Sequence, residues 1–220
     1  MIGDRLVITD YHRAGAAQVL VALQERLATA TRPLGVAIAG ESGSGKSETA
    51  HCLAAMLEAT GKRAIVLGQD DYFRLPPKTN HRRRLQDISW VGPDEVRLEL
   101  MDAHIAALKA DATAPLAKPI IDFEADRINN EMLELDRLDV IVAEGTYTCM
   151  LKNVDCRAFI NRSYHQTKKA RLTRGRDPNI EFIENVLAIE HEIIRTQKDI
   201  ADVVIDAPEE ERGAAKREAE

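Results

Sequence analysis

One glycine-rich segment of this sequence has the residue types and spacing to bind phosphate. It runs from Gly40 to Ser47 as GESGSGKS, which is the pattern G-x-x-x-x-G-K-[ST]. The apolar run from Val36 to Ala39 precedes it, and a helical pattern follows it. Glycines let successive backbone N–H groups point at phosphate oxygens, and the N-terminus of a helix adds positive potential there. The segment therefore predicts a triphosphate-binding loop, called the P-loop below.

Two side chains at the end of the P-loop complete this chemistry. Lys46 supplies a mobile positive charge for the outer phosphates, and the Ser47 hydroxyl is a candidate ligand of Mg²⁺. We therefore predict ATP and Mg²⁺ as cofactors. The predicted nucleotide-binding residues are Gly40, Ser42, Gly43, Ser44, Gly45, Lys46, Ser47 and Glu48. A glycine-rich turn that binds nothing is the alternative, but it requires neither the strand before the segment nor the helix after it.

Acidic side chains follow two other apolar runs of the sequence. Asp70 and Asp71 come after Arg63–Leu67, and Glu144 comes after Leu138–Ala143. A carboxylate beside an acceptor hydroxyl can accept its proton, and a second carboxylate can hold Mg²⁺ or its waters. Acids also follow strands merely as helix caps. Three of them at the ends of inner strands, beside a P-loop, favour the catalytic interpretation.

The elements that must position these residues alternate between apolar runs and helical patterns. This alternation predicts an α/β fold of the P-loop NTPase type, with a doubly wound, mainly parallel sheet and helices on both faces. Ligands bind such sheets at the carboxyl ends of the strands, where Gly40, Asp70 and Glu144 fall. The predicted strands are Leu34–Ala39, Arg63–Leu67, Leu138–Ala143, Arg157–Ile160 and Ala201–Ile205. The predicted helices are Tyr11–Ala28, a P-loop helix to about Ala59, Pro93–Lys109, Tyr164–Arg174 and Ile180–Asp199.

Three further segments of the chain have weaker patterns. Arg5–Thr9 is interpreted as a short strand or an extended arm, and Leu75–Val91 as an irregular, proline-containing loop. Lys118–Phe123 is interpreted as a short strand or hairpin arm with Met132–Leu135 as its candidate partner. The predicted organisation is an N-terminal strand and helix extension (1–33), a P-loop domain (34–206) with a small helical lid at about 164–178, and a charged C-terminal tail (207–220).

Composition excludes several classes of partner and cofactor. The chain has 220 residues, of which 45% are hydrophobic, so it can bury a core. Its net charge of -6 argues against nucleic-acid binding, and its aromatic content of 4% argues against base-stacking platforms. The three cysteines, Cys52, Cys149 and Cys156, lack metal-ligand spacing, so we expect free thiols in a reducing cytoplasm. No apolar stretch is long enough to predict a membrane span.

Several motifs together resemble the uridine kinase and phosphoribulokinase group of P-loop kinases. They are GESGSGKSETA at 40–50, QDDYFR at 69–74, WVGPDEV at 90–96, KPIIDF at 118–123, VIVAEG at 140–145 and RLTRGRD at 171–177. The resemblance spans most of the chain from Gly35 to Ile205. It implies a doubly wound sheet, a mobile lid and transfer of the γ-phosphate of ATP to a hydroxyl group of a small molecule.

The resemblance also implies roles for individual residues. Asp70 matches the base that accepts the hydroxyl proton, since the group's pattern runs Gln-Asp-x-aromatic-aromatic-Arg and Asp71 falls at the variable position. Glu144 matches the acid that serves Mg²⁺ together with Ser47. Lys46 and the lid arginines would stabilise transition-state charge. These arginines are Arg171, Arg174 and Arg176. A solvated basic helix face is the alternative interpretation of the three arginines.

The acceptor pocket departs from the group's pattern. Uridine kinases commonly carry His-Pro-Asp where this chain has Gly92-Pro93-Asp94. They commonly carry Tyr-Asp-Phe-x-x-His-x-Arg where this chain reads IDFEADRI at 121–128, so Asp122 and Phe123 persist. A nucleoside, a sugar phosphate and a hydroxy acid all remain candidate acceptors. The predicted substrate residues are Asp70, Tyr72, Arg83, Asp122 and Phe123.

Two of these substrate candidates have an ordinary alternative interpretation. The run Arg82–Arg84 could bind a phosphate or carboxylate of the acceptor, or it could be an exposed basic run. Tyr72 could line the acceptor pocket, or it could be a core residue that follows a strand. For five histidines we expect no functional role, because they fall in helical patterns without a common spacing. They are His12, His51, His104, His165 and His191.

A kinase is the preferred function, and a nucleotide-binding regulator or NTPase switch is the alternative. The acidic and aromatic run at 69–74 has no role in a switch, which favours the kinase. As partners we expect a small-molecule phosphate acceptor, no nucleic acid and no membrane, with a homo-oligomer possible. The expected location is the cytoplasm.

Overall fold

The structure is a computed structural model that describes residues 6–111, 113, 115–174 and 180–208. Within these residues the helices are α1 (Asp10–Thr29), α2 (Lys46–Ala59), α3 (Pro77–Gln86), α4 (Leu98–Ala110), α5 (Tyr164–Arg174) and α6 (Ile180–Ile194). The strands are β1 (Leu34–Gly40), β2 (Ala64–Gly68), β3 (Leu116–Asp122), β4 (Arg127–Leu133), β5 (Val140–Gly145), β6 (Cys156–Asn161) and β7 (Val203–Asp206). Short 3-10 turns connect several of them, including Gln69–Tyr72, Pro93–Glu95 and Arg195–Ile200.

Five strands form one parallel sheet in the order β2-β5-β1-β6-β7. Every residue of β1 is buried, because β1 lies at the centre of the sheet with helices over both faces. One core layer lies between the sheet and helices α1 and α2 and includes Leu23, Ile38 and Leu53. The other contains α4 residues such as Met101 and Ile105. The predicted α/β fold with a parallel, doubly wound sheet is confirmed.

The N-terminal segment differs in detail from its prediction. Among residues 6–9 there is no strand, because this segment has no strand partner. Helix α1 begins at Asp10, one residue before its predicted start, and its N-cap is Thr9. Thr9 and His12 form a capping box. The Thr9 side chain accepts a hydrogen bond from the His12 backbone N–H, and the His12 side chain accepts one from the Thr9 backbone N–H. A capping box usually has Glu or Gln at this position. Because a histidine stands here instead, the sequence does not reveal the cap.

The segment Leu75–Val91 was predicted to be irregular, and this was wrong because it contains helix α3. Pro77 suits the first turn of a helix, since a backbone N–H at this position would have no hydrogen-bond partner within the helix. The decisive cap comes from a distant part of the chain. The carboxylate of Asp126 accepts hydrogen bonds from the backbone N–H groups of Lys78 at 2.7 Å and Thr79 at 3.2 Å. No local pattern around α3 can reveal this interaction.

Strands β3 and β4 form a separate antiparallel hairpin. The predicted strand Lys118–Phe123 is present, but Met132–Leu135 was wrong as its partner, because Lys118–Asp122 pair with Arg127–Glu131 across a short turn. Asp126 in its turn has a φ of 51°, which is uncommon for a residue other than glycine. The hairpin is attached to the main body through Asp71, which accepts hydrogen bonds from the Ile121 backbone N–H at 3.0 Å and from Lys118 Nζ at 3.2 Å. The end of β2 and the hairpin therefore have fixed relative positions.

Three smaller expectations can be compared with the described residues. The predicted helix 93–109 begins later, at Leu98, after a 3-10 turn. The predicted helix 180–199 changes to 3-10 geometry after Ile194. The three cysteines are buried free thiols. In the part of the chain that the structure describes, no helix combines the length and apolar character that crossing a membrane requires.

Candidate active site

The P-loop wraps the N-terminus of α2, as its pattern predicts. Gly43 and Gly45 have φ values of 76° and 99°, a region that favours glycine. The Ser44 hydroxyl is buried and has no hydrogen-bond partner among the described residues. Lys46 Nζ donates to the Glu41 carbonyl oxygen at 2.9 Å. This loop is suited to bind phosphate, because it combines the free N–H groups at the start of α2 with the Ser44 hydroxyl and Lys46.

The carboxylates predicted from the strand ends lie beside this loop. Glu144 and Gly68 are register partners of β5 and β2, so the ends of these two strands are adjacent. Ser47 Oγ donates to Glu144 Oε1 at 3.1 Å. Burial, reinforced by the negative charge of Asp70, raises the pKa of Glu144 to about 7, while Lys46 and Ser47 favour its ionised form. These four side chains therefore share one site.

The donor set at this site fits Mg²⁺. Hard cations of this kind prefer oxygen ligands, and Mg²⁺ usually keeps several waters and takes phosphate oxygens with only one or two protein groups. Ser47 and Glu144 supply such oxygens next to the phosphate loop. No cluster of three or more His, Cys, Asp or Glu side chains suited to a metal occurs among the described residues. A bound Mg²⁺ would therefore depend on the nucleotide for most of its remaining ligands.

Asp70 and Asp71 are neighbours in sequence but occupy different environments. Asp71 is 4% exposed, and its carboxylate holds the β3–β4 hairpin. Asp70 is exposed at the carboxyl end of β2, on the side of Glu144. Asp70 can therefore meet a substrate hydroxyl, whereas Asp71 has a structural role.

Gln69 links the two strand ends that carry these acids, and the sequence analysis did not identify it. Its side chain is 1% exposed. Gln69 Oε1 accepts from the Tyr147 backbone N–H at 2.8 Å, and Nε2 donates to Thr146 Oγ1 at 2.8 Å. The side chain packs so closely on Gly145 that no Cβ would fit there. This contact fixes the position of Asp70 relative to Glu144.

One predicted substrate residue lies in the core instead. The prediction that Tyr72 contacts the acceptor is wrong, because its side chain is 0% exposed and packs in the hydrophobic layer next to α4. Its hydroxyl lies 3.0 Å from His104 Nδ1. Burial lowers the pKa of His104, so the neutral ring can accept this hydrogen bond. His104 is therefore a partner for a core hydroxyl.

Two other predicted substrate residues lie at the hairpin turn. Asp122 is half-buried at the end of β3, and its Oδ1 accepts from the Ala125 backbone N–H at 3.0 Å. Phe123 follows it and is also half-buried. Their contact with an acceptor stays a prediction.

The three consecutive arginines of α3 are already paired with acids. Arg82 contacts Asp126 of the hairpin at 3.4 Å. Arg83 is exposed, lies 3.4 Å from Asp87 and has its guanidinium 5.6 Å from the centre of the Trp90 ring. Arg84 is largely buried. The run is therefore not a continuous exposed basic patch, and the binding of an acceptor by Arg83 stays a prediction.

Arg84 is the centre of a buried polar network that the sequence analysis missed. It contacts Glu95 at 2.5 Å and Glu190 of α6 at 2.9 Å. Asn80 Nδ2 also donates to Glu95 at 2.9 Å, and Glu95 is 0% exposed. Burial raises the pKa of Glu190, and the positive charges of Arg84 and Lys46 oppose this change. The network thus connects α3 and α6 next to the lysine of the P-loop.

Helix α5, the first part of the predicted lid, lies directly on the P-loop. Thr167 Oγ1 donates to the Ser42 carbonyl oxygen at 2.8 Å. The Arg171 side chain is 8% exposed, and its Cγ lies 2.9 Å from the place that a Cβ on Gly43 would take. The alternative of a solvated helix face is therefore wrong for Arg171. The side chain of Arg174 and the whole of Arg176 lie outside the described residues, so their catalytic roles stay predictions.

Glu41, an acid within the P-loop, is buried against helices α5 and α6. The carboxylate of Glu41 is bonded by the Tyr164 backbone N–H at 2.6 Å and lies 2.8 Å from His191 Nδ1. Glu41 is 5% exposed. No sequence signal marked His191, because its partner lies 150 positions away in the chain. The P-loop is thus attached to both α5 and α6.

A cavity of about 280 Å³ borders Glu41 at the carboxyl ends of β6 and β7. Asn161, Ser163 and Gln166 line one part of it, and His191 lines another. The cavity contains polar groups and lies next to the phosphate loop. Its position is suitable for the part of a nucleotide that extends beyond the phosphates.

The raised pKa of Glu144 predicts a dependence of stability on pH in the metal-free protein. An unperturbed carboxyl group titrates at 4.5, whereas Glu144 titrates at about 7, so the folded state holds this proton more tightly. The contribution of this group to the free energy of unfolding should therefore fall as pH rises from about 4.5 to 7, by at most about 3 kcal/mol, and be constant above that range. Denaturant titrations in EDTA at pH 5 and pH 8 measure this change.

The matched variant for this measurement is Glu144→Gln, which keeps the shape of the side chain and cannot titrate. The difference between wild type and variant isolates Glu144, because the other titrating groups contribute to both proteins. We expect this difference to move against the wild type as pH rises. Parallel pH profiles for the two proteins would show that the Glu144 proton is not linked to folding.

Comparisons with known proteins show which proteins the chain resembles. The chain is 23% identical over 186 residues to a uridine kinase of Lactobacillus helveticus (strain DPC 4571), covering 79% of this chain and 86% of that protein. It is 26% identical over 184 residues to the bifunctional alpha-galactosidase/sucrose kinase of Mediterraneibacter gnavus, covering 77% of this chain and 20% of that protein. A solved structure described as a possible uridine kinase from Bacillus stearothermophilus has a TM-score of 0.62 at 21% identity, covering 86% of this chain and 97% of that chain.

The profile of the Phosphoribulokinase / Uridine kinase family matches residues 36–211, which is most of the chain. The resemblance inferred from the motifs is confirmed, and so is the assignment as a phosphotransferase with an alcohol group as acceptor. The chain belongs to the phosphoribulokinase/uridine kinase family.

Proposed function

We propose that this protein is an ATP- and Mg²⁺-dependent kinase that phosphorylates a hydroxyl group of a small uncharged metabolite, a nucleoside or a simple sugar. The observation that supports it most is the meeting of three groups at one edge of the sheet. The P-loop, the Ser47–Glu144 pair and the exposed Asp70 lie there together. A phosphate donor, a cation and a proton acceptor are the components that phosphoryl transfer needs.

Each residue of this site has a defined task in the proposed reaction. The P-loop N–H groups and Lys46 bind the phosphates and orient the γ-phosphate toward the acceptor. Asp70 accepts the proton of the attacking hydroxyl. Arg171 packs its Cγ on Gly43, while its guanidinium donates to the Tyr164 carbonyl oxygen, and it is proposed to turn this charge toward the phosphates when ATP binds. When bound through Ser47 and Glu144, Mg²⁺ neutralises charge on the phosphate oxygens.

The nucleoside part of ATP is proposed to extend toward the cavity beside Glu41. This cavity borders the P-loop at the ends of β6 and β7, on the opposite side of β1 from Asp70 and Glu144. The donor and the acceptor would then enter from different sides of the loop. This arrangement leaves the region around Asp70 and the hairpin for the acceptor.

Charge around the acceptor region supports an uncharged substrate. Arg82, Arg83 and Arg84 each contact an acid. Lys118 is buried between Asp71 and Glu131. A phosphate or carboxylate on the acceptor would compete with these carboxylates for the same cations. The names of two relatives, uridine kinase and sucrose kinase, also refer to uncharged acceptors.

A screen for ADP release tests this proposal. Nucleosides, simple sugars, sugar phosphates and hydroxy acids are offered one at a time with ATP and Mg²⁺. We expect turnover with a nucleoside or a sugar, and Arg83→Ala should change its KM by less than about threefold, because the exposed Arg83 already pairs with Asp87. Arg82→Ala is the matched control.

Two results would contradict the proposal in different ways. The first is turnover of an anionic acceptor whose KM rises about tenfold or more in Arg83→Ala, which equals about 1.4 kcal/mol of lost binding. This result would show that Arg83 binds the anionic group of the acceptor. Rapid ATP hydrolysis that no metabolite stimulates would instead favour the NTPase switch.

A further inference from the structure

Helix α1 lies outside residues 36–211 that match the family, yet it reaches the P-loop. Its contact there is the side chain of His12, which is 7% exposed. A Cβ built on Gly45 would lie 2.5 Å from His12 Nε2 and 2.6 Å from Cδ2. The edge of the imidazole ring therefore packs directly on the backbone of Gly45, the residue before Lys46.

Hydrogen bonding assigns the tautomer of this ring. The Thr9 backbone N–H donates to His12 Nδ1 at 3.0 Å, and the Thr9 hydroxyl lies 3.2 Å from the same atom. A ring nitrogen that accepts from an N–H carries no proton, so the neutral ring has its proton on Nε2. This is the nitrogen that faces Gly45. The ring thus turns an N–H group toward the phosphate loop.

The position of His12 is fixed because α1 is anchored in the core. Val19 and Leu23 of α1 are 0% exposed. Gly15, one turn after His12, allows close approach to Ile205 of β7, whose side chain would lie 3.2 Å from a Cβ at that position. A helix held in this way cannot move its first turn without losing buried contacts.

We propose that His12 is a positioning residue of the P-loop, through which α1 sets the affinity for the nucleotide. The ring supports Gly45 at its φ of 99° and so holds the first turn of α2, where Lys46 and its neighbours present N–H groups to the phosphates. Without this support the loop must be ordered by the nucleotide itself, which weakens binding. The inference rests on the proposed use of ATP.

The experiment measures the Kd of ADP by calorimetry, because ADP binding needs no acceptor. His12→Ala is expected to raise this Kd by about tenfold, since part of the binding energy must then be used to order the loop. His12→Gln keeps a polar nitrogen at the length of Nε2 and also suits the capping box, so it should stay within about threefold of wild type. Val19→Ala is the matched control.

Val19→Ala removes buried core packing two turns further along the same helix. It should lower Tm but leave the Kd of ADP within about twofold of wild type. A Kd in His12→Ala that stays within twofold of wild type would overturn the proposal. An equal rise of Kd in Val19→Ala would also overturn it, because the effect would then reflect the stability of α1 in general.

A third variant keeps the test decisive where His12→Ala does not fold. In His12→Asn the side chain is too short for its amide to reach Gly45. In His12→Gln the longer side chain brings the amide to Gly45. We expect ADP to bind about fivefold or more weakly to the Asn variant than to the Gln variant, and equal affinities would refute the role of His12. Wild-type protein that binds no ADP would instead refute the proposed use of ATP. Failure of the acceptor screen with ADP binding intact would leave this inference standing.

Discussion

Replacing Asp70 with Asn is expected to lower kcat by about 10²- to 10⁴-fold, the usual contribution of a positioned general base. Asn keeps the size of the side chain but cannot accept the proton of the attacking hydroxyl. The Kd of ATP should stay within about threefold of wild type, because Asp70 lies at the end of β2 and the phosphates are bound by the P-loop. Steady-state kinetics with the acceptor from the screen, together with calorimetry, measure both quantities.

The pH of this experiment matters because Asp70 also acts on Glu144. The negative charge of Asp70 helps to raise the pKa of Glu144 to about 7. An assay at pH 8.5 keeps Glu144 ionised in both proteins, so the loss of kcat then reports the proton transfer alone. Turnover that is unchanged in Asp70→Asn at this pH would remove Asp70 from the mechanism.

Asp71→Asn is the control for Asp70→Asn, since the same chemical change is made one residue away. The buried carboxylate of Asp71 bonds Lys118 and the backbone of Ile121. Its loss should lower the free energy of unfolding by about 1–3 kcal/mol, because it leaves a buried lysine with a weaker partner. We expect kcat to fall much less than in Asp70→Asn. The two variants thereby distinguish the proposed general base, Asp70, from the structural carboxylate, Asp71.

Replacing Arg84 with Met is expected to lower the free energy of unfolding by about 3–5 kcal/mol. Met keeps the apolar stem of the side chain but removes the guanidinium that pairs with Glu95 and Glu190. Glu95 is 0% exposed, so its carboxylate would be left in the interior without a cation. Denaturant unfolding monitored by circular dichroism measures the loss.

Two further variants show whether the unpaired charge is the cause. Arg83→Met makes the same change at an exposed neighbouring position and should cost less than about 1 kcal/mol. Arg84→Met combined with Glu95→Gln should recover about 1–2 kcal/mol of the loss, because a buried amide is less costly than a buried carboxylate. A double variant no more stable than Arg84→Met would show that lost packing, not charge, is responsible.

The central sheet could be predicted because its strands carry a local pattern. A strand covered on both faces must be apolar throughout, and β1 and β5 show this as short continuous runs. The edge strand β2 has a similar apolar run but is only partly buried. The P-loop was predictable for a similar reason. Its glycines and Lys46 are adjacent in sequence, and the parallel order then brings the acids after other strands to the same edge.

Helix α3 and the role of Tyr72 were not predictable from the sequence. Helix α3 has no apolar stripe, and its N-terminus is capped by Asp126, 48 positions from Lys78. Tyr72 follows a strand beside a candidate base, yet its ring turns into the layer formed with α4. The direction of such a side chain depends on which face of the sheet is covered next to it, and a local pattern does not contain this information.

The sequence by itself therefore determined the phosphate loop, the parallel sheet and the acids at its edge, because each depends on neighbouring residues or on the general geometry of parallel strands. Only the tertiary structure decided which partner each polar side chain has. His12 meets Gly45, His191 meets Glu41, and Arg84 joins Glu95 to Glu190 across helices that are far apart in the chain. Buried polar groups must find partners wherever the fold supplies them, so these pairs follow from packing.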